Sequence, residues 1–305
     1  MRIVALAGGV GGAKLVDGLA QVLSPDNLAV IVNTGDDFEH LGLLISPDLD
    51  TVCYSLAGLA NPETGWGRDA ETFRALDNIR NLGGPDWFSL GDQDLGTHLE
   101  RTRRLKSGQP LSQVTNDFCL AWGIKQTVLP MSDEPVHTIV DTEEFGELAF
   151  QEYFVHRKCE PKVKGFRFAG IENAHPAPGV VEAIGSADAI IFCPSNPWVS
   201  IDPILAIPGI RQAIVQLPII AISPIISGIA VKGPAAKMFR ELGIEPSALA
   251  IASHYQDLLT SFILDNVDSG LIKESPIPAY ATKTLMKTRA DRRRLAEDVL
   301  HLIRA

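Results

Sequence analysis

Cysteine is scarce in this 305-residue chain: Cys53, Cys119, Cys159 and Cys193 stand far apart, with no Cys-x-x-Cys pair. That scarcity excludes a disulfide scaffold and a thiolate zinc site, and it points to a reducing, cytoplasmic setting. Basic charge is short too, with 27 Lys plus Arg against 37 Asp plus Glu and a formal net charge of −10. Such a chain has no electrostatic basis for non-specific nucleic-acid binding. Long apolar runs are also missing. The longest, Leu217 to Val231, is broken by Pro218, Pro224 and Gly228, so it cannot be one membrane-spanning helix. No GxSxG elbow or HExxH pair occurs, and the seven histidines show no metal-ligand spacing. Nucleophilic catalysis through Ser or Cys is therefore unsupported.

What is present is enough for one large core, with 46% apolar and 21% charged residues. Short β-branched runs recur, each ending in Gly, Ser, Asn or Pro: Ile3–Ala7, Leu28–Asn33, Ala187–Cys193 and Pro218–Ser223. Continuous apolar strands followed by helical patterns imply a parallel sheet covered on both faces. The expected fold is a single α/β domain over residues 1–305, with a doubly wound, mainly parallel, Rossmann-like sheet. Ligands in such folds sit beyond the carboxyl ends of the strands. Residues 51–125 read as a mostly helical insertion, a cap over that edge. Helices are expected over Thr51–Ala60, Asp69–Leu82, Asp92–Leu105 and Leu111–Trp122. Strands are expected at Gln126–Leu129, Val136–Val140 and Glu147–Phe154. A final helix, Ala290–Ile303, carries arginines read as a solvated face.

Chemistry concentrates in the loops after the strands. Gly8-Gly9-Val10-Gly11-Gly12-Ala13-Lys14 joins the first strand to the first helix, where backbone N–H groups and the helix terminus favour an anion. Ala13-Lys14-Leu15 departs from the ATPase Gly-Lys-Ser/Thr rule. Lys14 stands where a dinucleotide fingerprint needs glycine, and Asn33 where it wants an acid. Asp36, Asp37, Glu39, Asp48 and Asp50 then place five carboxylates within fifteen residues, a plausible magnesium site. Asp48 and Asp50 also fit a helix start, as cap or dipole partner, and Asp36 and Asp37 fit a turn. Asp92, Asp94 and His98 surround another helix start. Pro194-Ser195-Asn196-Pro197 offers hydroxyl and amide groups at a strand end. Lys232-Gly233-Pro234-Ala235-Ala236-Lys237 opens a further helix with proline at its first position. A metal-assisted transfer, in which groups are aligned and phosphate charge neutralised, suits this inventory.

The segments GGVGGAKLVDGL, VNTGDDFEHLGLLISPDLDTVCY, LGDQDLGTH, LPMSDEPVHT, PSNPWVSIDPIL, SPIISGIAVKGPAAK and SHYQDLL occur in order from residue 8 to 259. Together they resemble the 2-phospho-L-lactate transferase family of coenzyme F420 biosynthesis. The resemblance implies an α/β core with a helical cap, a homodimer and Mg2+ dependence. It further implies a donor of GMP joined through a diphosphate to a small acid, and the deazaflavin Fo as acceptor. Asp50 matches the family aspartate at the metal and the Fo hydroxyl. Gly9, Gly11, Gly12 and Lys14 match the phosphate loop. Ser195, Asn196, Ser223, Gly233 and Lys237 match the donor nucleotide's surroundings, and Asp36, Asp37 and Asp48 the acidic shell. Asp48 and Asp50 are thus the expected metal ligands, with Asp37, Asp50 and His98 as candidate bases. Many members carry Lys or Arg just before LGD, at an Fo contact, whereas Ser89 stands here and supplies no charge. Trp66 is the expected stacking partner for a tricyclic ring, and His40 is expected to border the acceptor.

Two other classes compete. A sister family of nonenzymatic factors shares the glycine-rich start and binds nucleotide sugars, but its acidic loop lacks SPDLDTV and PMSDEPV. A nicotinamide dehydrogenase is disfavoured by Lys14 and Asn33.

Overall fold

The computed structural model describes residues 1–304. The first strand, β1 (Ile3–Ala7), is buried at every position, as its IVALA sequence demands. Helix α1 (Gly9–Val22) begins inside the glycine loop, four residues earlier than the apolar pattern suggests. There follow β2 (Leu28–Val32), the hairpin strands β3 (Phe38–His40) and β4 (Leu43–Ile45), and α2 (Pro47–Ala57). Proline suits the start of α2, because a missing N–H is harmless there. Next come α3 (Arg74–Asn81), α4 (Asp92–Lys106), α5 (Leu111–Ala121), β5 (Thr127–Pro130), β6 (His137–Thr142), β7 (Gly146–Ala149) and β8 (Val163–Ala169). The remainder is α6 (Val180–Gly185), β9 (Ala189–Phe192), α7 (Asp202–Ala206), α8 (Ile210–Ile214), β10 (Ile219–Ile222), β11 (Ile225–Ile226), β12 (Ile229–Ala230), α9 (Ala235–Glu241), α10 (Ala248–His254), β13 (Ser261–Asp265), β14 (Ala279–Thr282) and α11 (Arg289–Arg304).

Seven strands form one sheet in the order β14-β13-β10-β9-β1-β2-β5, and every pairing is parallel. The chain lays β1, β2 and β5 outward to one edge, then returns to build β9, β10, β13 and β14 on the other. The order reverses between β1 and β9, where Ile3 pairs with Leu28 on one side and Ala189 on the other. Loops leaving two strands at such a reversal diverge to opposite faces and leave a crevice between them.

Alternation along β1 sends Ile3, Ala5 and Ala7 to one face, packed with Leu15, Val52, Leu295 and Val299 of α1, α2 and α11. Val4 and Leu6 face the other layer, with Ile184, Ile210, Met238 and Ile251. Of the helical block expected over residues 51–125, α2 and α5 contribute Val52, Leu111 and Cys119 to the core under the sheet. Residues 58–110, with α3 and α4, instead supply a wall of the cleft described below. The strand expected at Glu147–Phe154 stops at Ala149, and a single wide turn follows at Glu152–His156. The strands β6, β7 and β8 form a separate antiparallel sheet. Of the arginines of α11, Arg292 is largely buried against the carboxylate of Asp17, while Arg289 reaches the same buried carboxylate from the solvated face. All four cysteines are free, and among the described residues no helix is long and apolar enough to cross a membrane.

Candidate active site at the sheet reversal

The glycine loop is shaped by close approach. A Cβ on Gly8 would lie 2.6 Å from Asp48 Oδ2, and one on Gly11 would lie 2.2 Å from the Pro194 carbonyl oxygen. The loops after β1 and β9 are therefore pressed together at the reversal, and only glycine fits between them. Asn33, at the end of β2, locks this junction. Its Nδ2 donates to Asp48 Oδ2 (2.9 Å) and to the Val199 carbonyl (3.0 Å), while its Oδ1 accepts from the Gly35 N–H (2.8 Å). Asp48 Oδ1 in turn accepts the Gly9 N–H at 2.7 Å. An acid at position 33 could not donate to Asp48, which explains why asparagine closes the second strand.

A cavity of about 570 Å³ opens over this junction. Gly9, Gly11, Lys14, Asp36, Asp48, Asp50, Trp66, Ser89, His98, Ser195, Asn196, Ser223 and Gly233 line it, bringing together four strand-end segments and the helical wall. Phe88, Phe150 and Phe154 add aromatic surface on the side of Trp66 and Ser89. The polar members are largely engaged already. Ser195 Oγ donates to the Gly8 carbonyl (2.7 Å), and Ser223 Oγ donates to the Ile225 carbonyl (2.8 Å). Asn196 Oδ1 accepts from the Trp198 N–H (3.2 Å). These three side chains thus hold their loops in shape. Lys14 Nζ donates to the Met286 carbonyl at 3.0 Å, and burial, then Arg292 and Lys232, lower its pKa.

Negative charge is crowded here. Burial pushes Asp36 and Asp37 well above the carboxylate range, with Asp48 adding to the shift of Asp36. Burial brings Asp48 to about 6, against the hydrogen bonds from Asn33 and Gly9. Asp36, which lines the cavity, leaves its Oδ1 buried with no partner, while the equally orphaned Asp37 Oδ1 lies behind the wall. Orphaned hard oxygens beside crowded carboxylates are what a divalent cation relieves. Among the described residues, no three His, Cys, Asp or Glu side chains converge as a closed metal cage. Magnesium needs none, since one or two carboxylates with water and substrate phosphate suffice.

Asp50 has a partner that sequence reading missed. Arg101 on α4 donates through Nη1 to Asp50 Oδ2 (3.0 Å) and through Nη2 to Oδ1. Arg101 Nη1 also lies 3.2 Å from His98 Nδ1. Burial lowers His98 to about 4, so its ring is neutral at physiological pH. Arginine can only donate, so Nδ1 accepts and the ring proton sits on Nε2, which faces Asp94 at 3.9 Å. His98 is therefore not a free base. Asp94, raised to about 6 by burial and then by Asp50, accepts the Tyr54 hydroxyl at 2.6 Å. The spacing Asp94, His98, Arg101 repeats at i, i+4 and i+7 along α4, a helical face of polar residues that was visible in the sequence.

Four expected residues lie elsewhere. Lys237 points away from the cleft to Glu241 (2.6 Å) and the Pro161 carbonyl (2.9 Å), because the first turn of α9 faces the small sheet there. Lys232 lines the cavity in its place. Pro234 caps α9 and does not open it as the first helical residue. His40 packs against Trp87 and Phe88, with ring centroids at 4.9 and 5.8 Å, outside the cavity lining. Asp37 lies behind the wall, accepting the Ser46 hydroxyl at 2.6 Å. Gly12 is also behind it, where a Cβ would meet Ser195 Oγ at 3.0 Å.

A nucleotide-fold crevice lined by a glycine loop, crowded carboxylates and an aromatic wall defines a phosphate-transfer enzyme of the α/β class. The family described as 2-phospho-L-lactate transferase CofD matches residues 3–305, and the chain belongs to that family. A phosphoenolpyruvate transferase of Streptomyces griseus is 48% identical over 90% of this chain and 88% of its own. A 2-phospho-L-lactate transferase of Methanocaldococcus jannaschii is 38% identical over 98% of this chain and 97% of its own. In fold, the chain is similar to a UPF0052-family protein from Bacillus halodurans, with a TM-score of 0.66 at 18% identity, covering 98% of this chain and 99% of that one.

Proposed function

We propose that the chain transfers a phosphoenolpyruvyl group to the deazaflavin Fo in coenzyme F420 biosynthesis, from a donor in which its phosphate and that of GMP are joined as a diphosphate. The class of reaction, transfer of a phosphoenolpyruvyl or 2-phospholactyl group, follows from the family. Phosphoenolpyruvate is favoured as the acid because relatives named for it are 44–48% identical, against 36–38% for those named for phospholactate. The observation that carries the reading is the cleft at the sheet reversal, where a phosphate-compatible glycine loop meets carboxylates and an aromatic wall.

In this scheme the terminal ribityl hydroxyl of Fo attacks the phosphorus bearing the acid. A phosphodiester forms, the bond to the GMP phosphate breaks, and GMP leaves. Such a reaction asks mainly for alignment and charge stabilisation. Lys14, Lys232 and the backbone of the glycine loop neutralise the donor diphosphate. Asp50, held by Arg101, receives the acceptor hydroxyl and its proton. Trp66, with Phe88 and Phe154, offers a platform for the tricyclic ring beside Ser89. Asp48 and Asp50 would hold Mg2+, which supplies charge neutralisation at the diphosphate when bound. The resemblance also implies a cytoplasmic homodimer.

The test is incubation with Fo and guanylyl donors made from each acid, read by mass spectrometry. A phosphoenolpyruvyl product is expected, and exclusive use of the phospholactyl donor would reverse the choice of acid. In parallel, GDP with magnesium should raise the melting temperature where a UDP-sugar or NAD does not. Stabilisation by the UDP-sugar alone would favour the regulatory sister family.

A further inference from the structure

We propose that Arg101 is a positioning residue for the transfer: from behind the cleft wall it sets the orientation in which the Asp50 carboxylate meets the acceptor hydroxyl. This rests on the assignment of Asp50 made above. Asp50 and His98 both line the cavity, whereas Arg101, 3% exposed, does not. Its guanidinium grips both carboxylate oxygens of Asp50 end-on, through Nη1 and Nη2, which fixes the plane of the carboxylate. The same Nη1 that meets Asp50 Oδ2 also meets His98 Nδ1, so imidazole and carboxylate are registered to one another by one planar group. The guanidinium is itself steadied by the Phe118 ring of α5, 5.9 Å from its centre.

A simple tether between α2 and α4 would not require this arrangement, because Tyr54 of α2 and Asp94 of α4 already join the two helices at 2.6 Å. Nor would bare charge compensation require a fork. A lysine ammonium is a point charge that leaves the carboxylate free to turn. What only the fork supplies is a fixed direction for the Asp50 lone pairs that face the cleft, and small misplacements of aligned groups are costly in rate.

The experiment compares Arg101→Lys, Arg101→Met and Arg101→Ala in the full-length enzyme. Steady-state kinetics with Fo and the GMP-diphosphate-linked phosphoenolpyruvate donor are read beside GDP titration calorimetry and melting curves. The expected result is a kcat lowered about 100-fold in Arg101→Met, with the donor KM and the GDP affinity unchanged. Arg101→Lys should fall between, because charge is kept and the fork is lost. Added guanidinium ion should restore part of the Arg101→Ala turnover. If Arg101→Ala does not fold, the kcat of Arg101→Lys decides. A variant kcat close to wild type, or a loss that merely tracks weaker GDP binding and melting, overturns the proposal alone. A wild-type enzyme with no turnover on Fo overturns the reading beneath it, and the proposal with it.

Discussion

Asp50 lines the cleft while both its oxygens are held by Arg101, so its substitution separates chemistry from binding. Asp50→Asn removes one acceptor and presents an amide to a guanidinium. Loss of a proton-accepting carboxylate is expected to lower kcat at least about 100-fold, with GDP binding largely spared because Asp48 still holds the glycine loop. An asparagine variant that keeps most of its rate would remove Asp50 from the reaction. The half-broken buried pair should also destabilise the fold by about 3 kcal/mol. The glycine loop gives a second contrast. Gly11→Ala drives a methyl to 2.2 Å from the Pro194 oxygen. Backbone on both sides must shift, costing about 1–3 kcal/mol and weakening GDP binding. Gly9→Ala meets open space at φ +61° and should cost roughly 1–2 kcal/mol of backbone strain alone. Calorimetric GDP titration of the two variants checks the order; equal affinities would contradict it.

At the scale of elements, α11 is clamped to α1. A Cβ on Gly18 would lie 2.2 Å from the Arg292 carbonyl, and the buried Asp17 receives Arg289 (3.1 Å) and Arg292 (3.2 Å). Asp17→Asn should lower stability by about 1.5–3 kcal/mol, the range for losing charge-assisted hydrogen bonds at a buried carboxylate, measured by urea unfolding. A change within error would mean the arginines are merely solvated, as their sequence pattern suggested. That reading, mistaken for Arg292, shows where sequence stops being legible. The runs IVALA, LAVIV, AIIF and IIAI announced buried parallel strands within a few residues, because burial on both faces leaves a continuous apolar signature. The edge strand β14, AYAT, has no such signature: it is only partly buried. Nor does β8, VKGFRFA, in the small sheet, where only Val163 is buried and Lys164 and Arg167 are exposed. The glycine loop and the SPDLD carboxylates were legible as chemistry. Arg101 was not, because its meaning depends on α4 docking against α2, fifty residues away in the chain. Lys237 shows the converse: the KGPAAK segment does open a helix by the cleft, but its second lysine faces away from it.

At the scale of the whole molecule, the crowded carboxylates tie stability to pH. The unfolded carboxyl of Asp48 titrates near 3.8 and the folded one near 6, so between these values the folded chain binds more protons. Stability from this group therefore falls as pH rises through about 4 to 6. Asp94 acts in the same window, and Asp36 and Asp37 act in the same direction. His98 opposes them, since its folded value near 4 against 6.5 unfolded favours folding as pH rises between the two. With four carboxyl groups against one imidazole, the site is a net liability once ionised. A cation bound to the ionised form offsets it. Magnesium should therefore raise the melting temperature more at pH 8 than at pH 5, read by scanning calorimetry with and without chelator. Equal shifts at the two pH values would place the ion away from these carboxylates. Chelation should abolish turnover without unfolding the chain, because among the described residues no closed metal cage underpins the core.

The reversal of strand order has one more effect. All seven strands of the large sheet run the same way, so the cavity-lining loops after β1, β2, β9 and β10 are gathered on a single rim. The turns on the opposite rim, Ser24–Asn27 before β2, Ser186–Asp188 before β9 and Val215–Pro218 before β10, sit a full strand length from the chemistry. Evolution or an engineer can lengthen, recharge or graft onto those turns while leaving catalysis untouched.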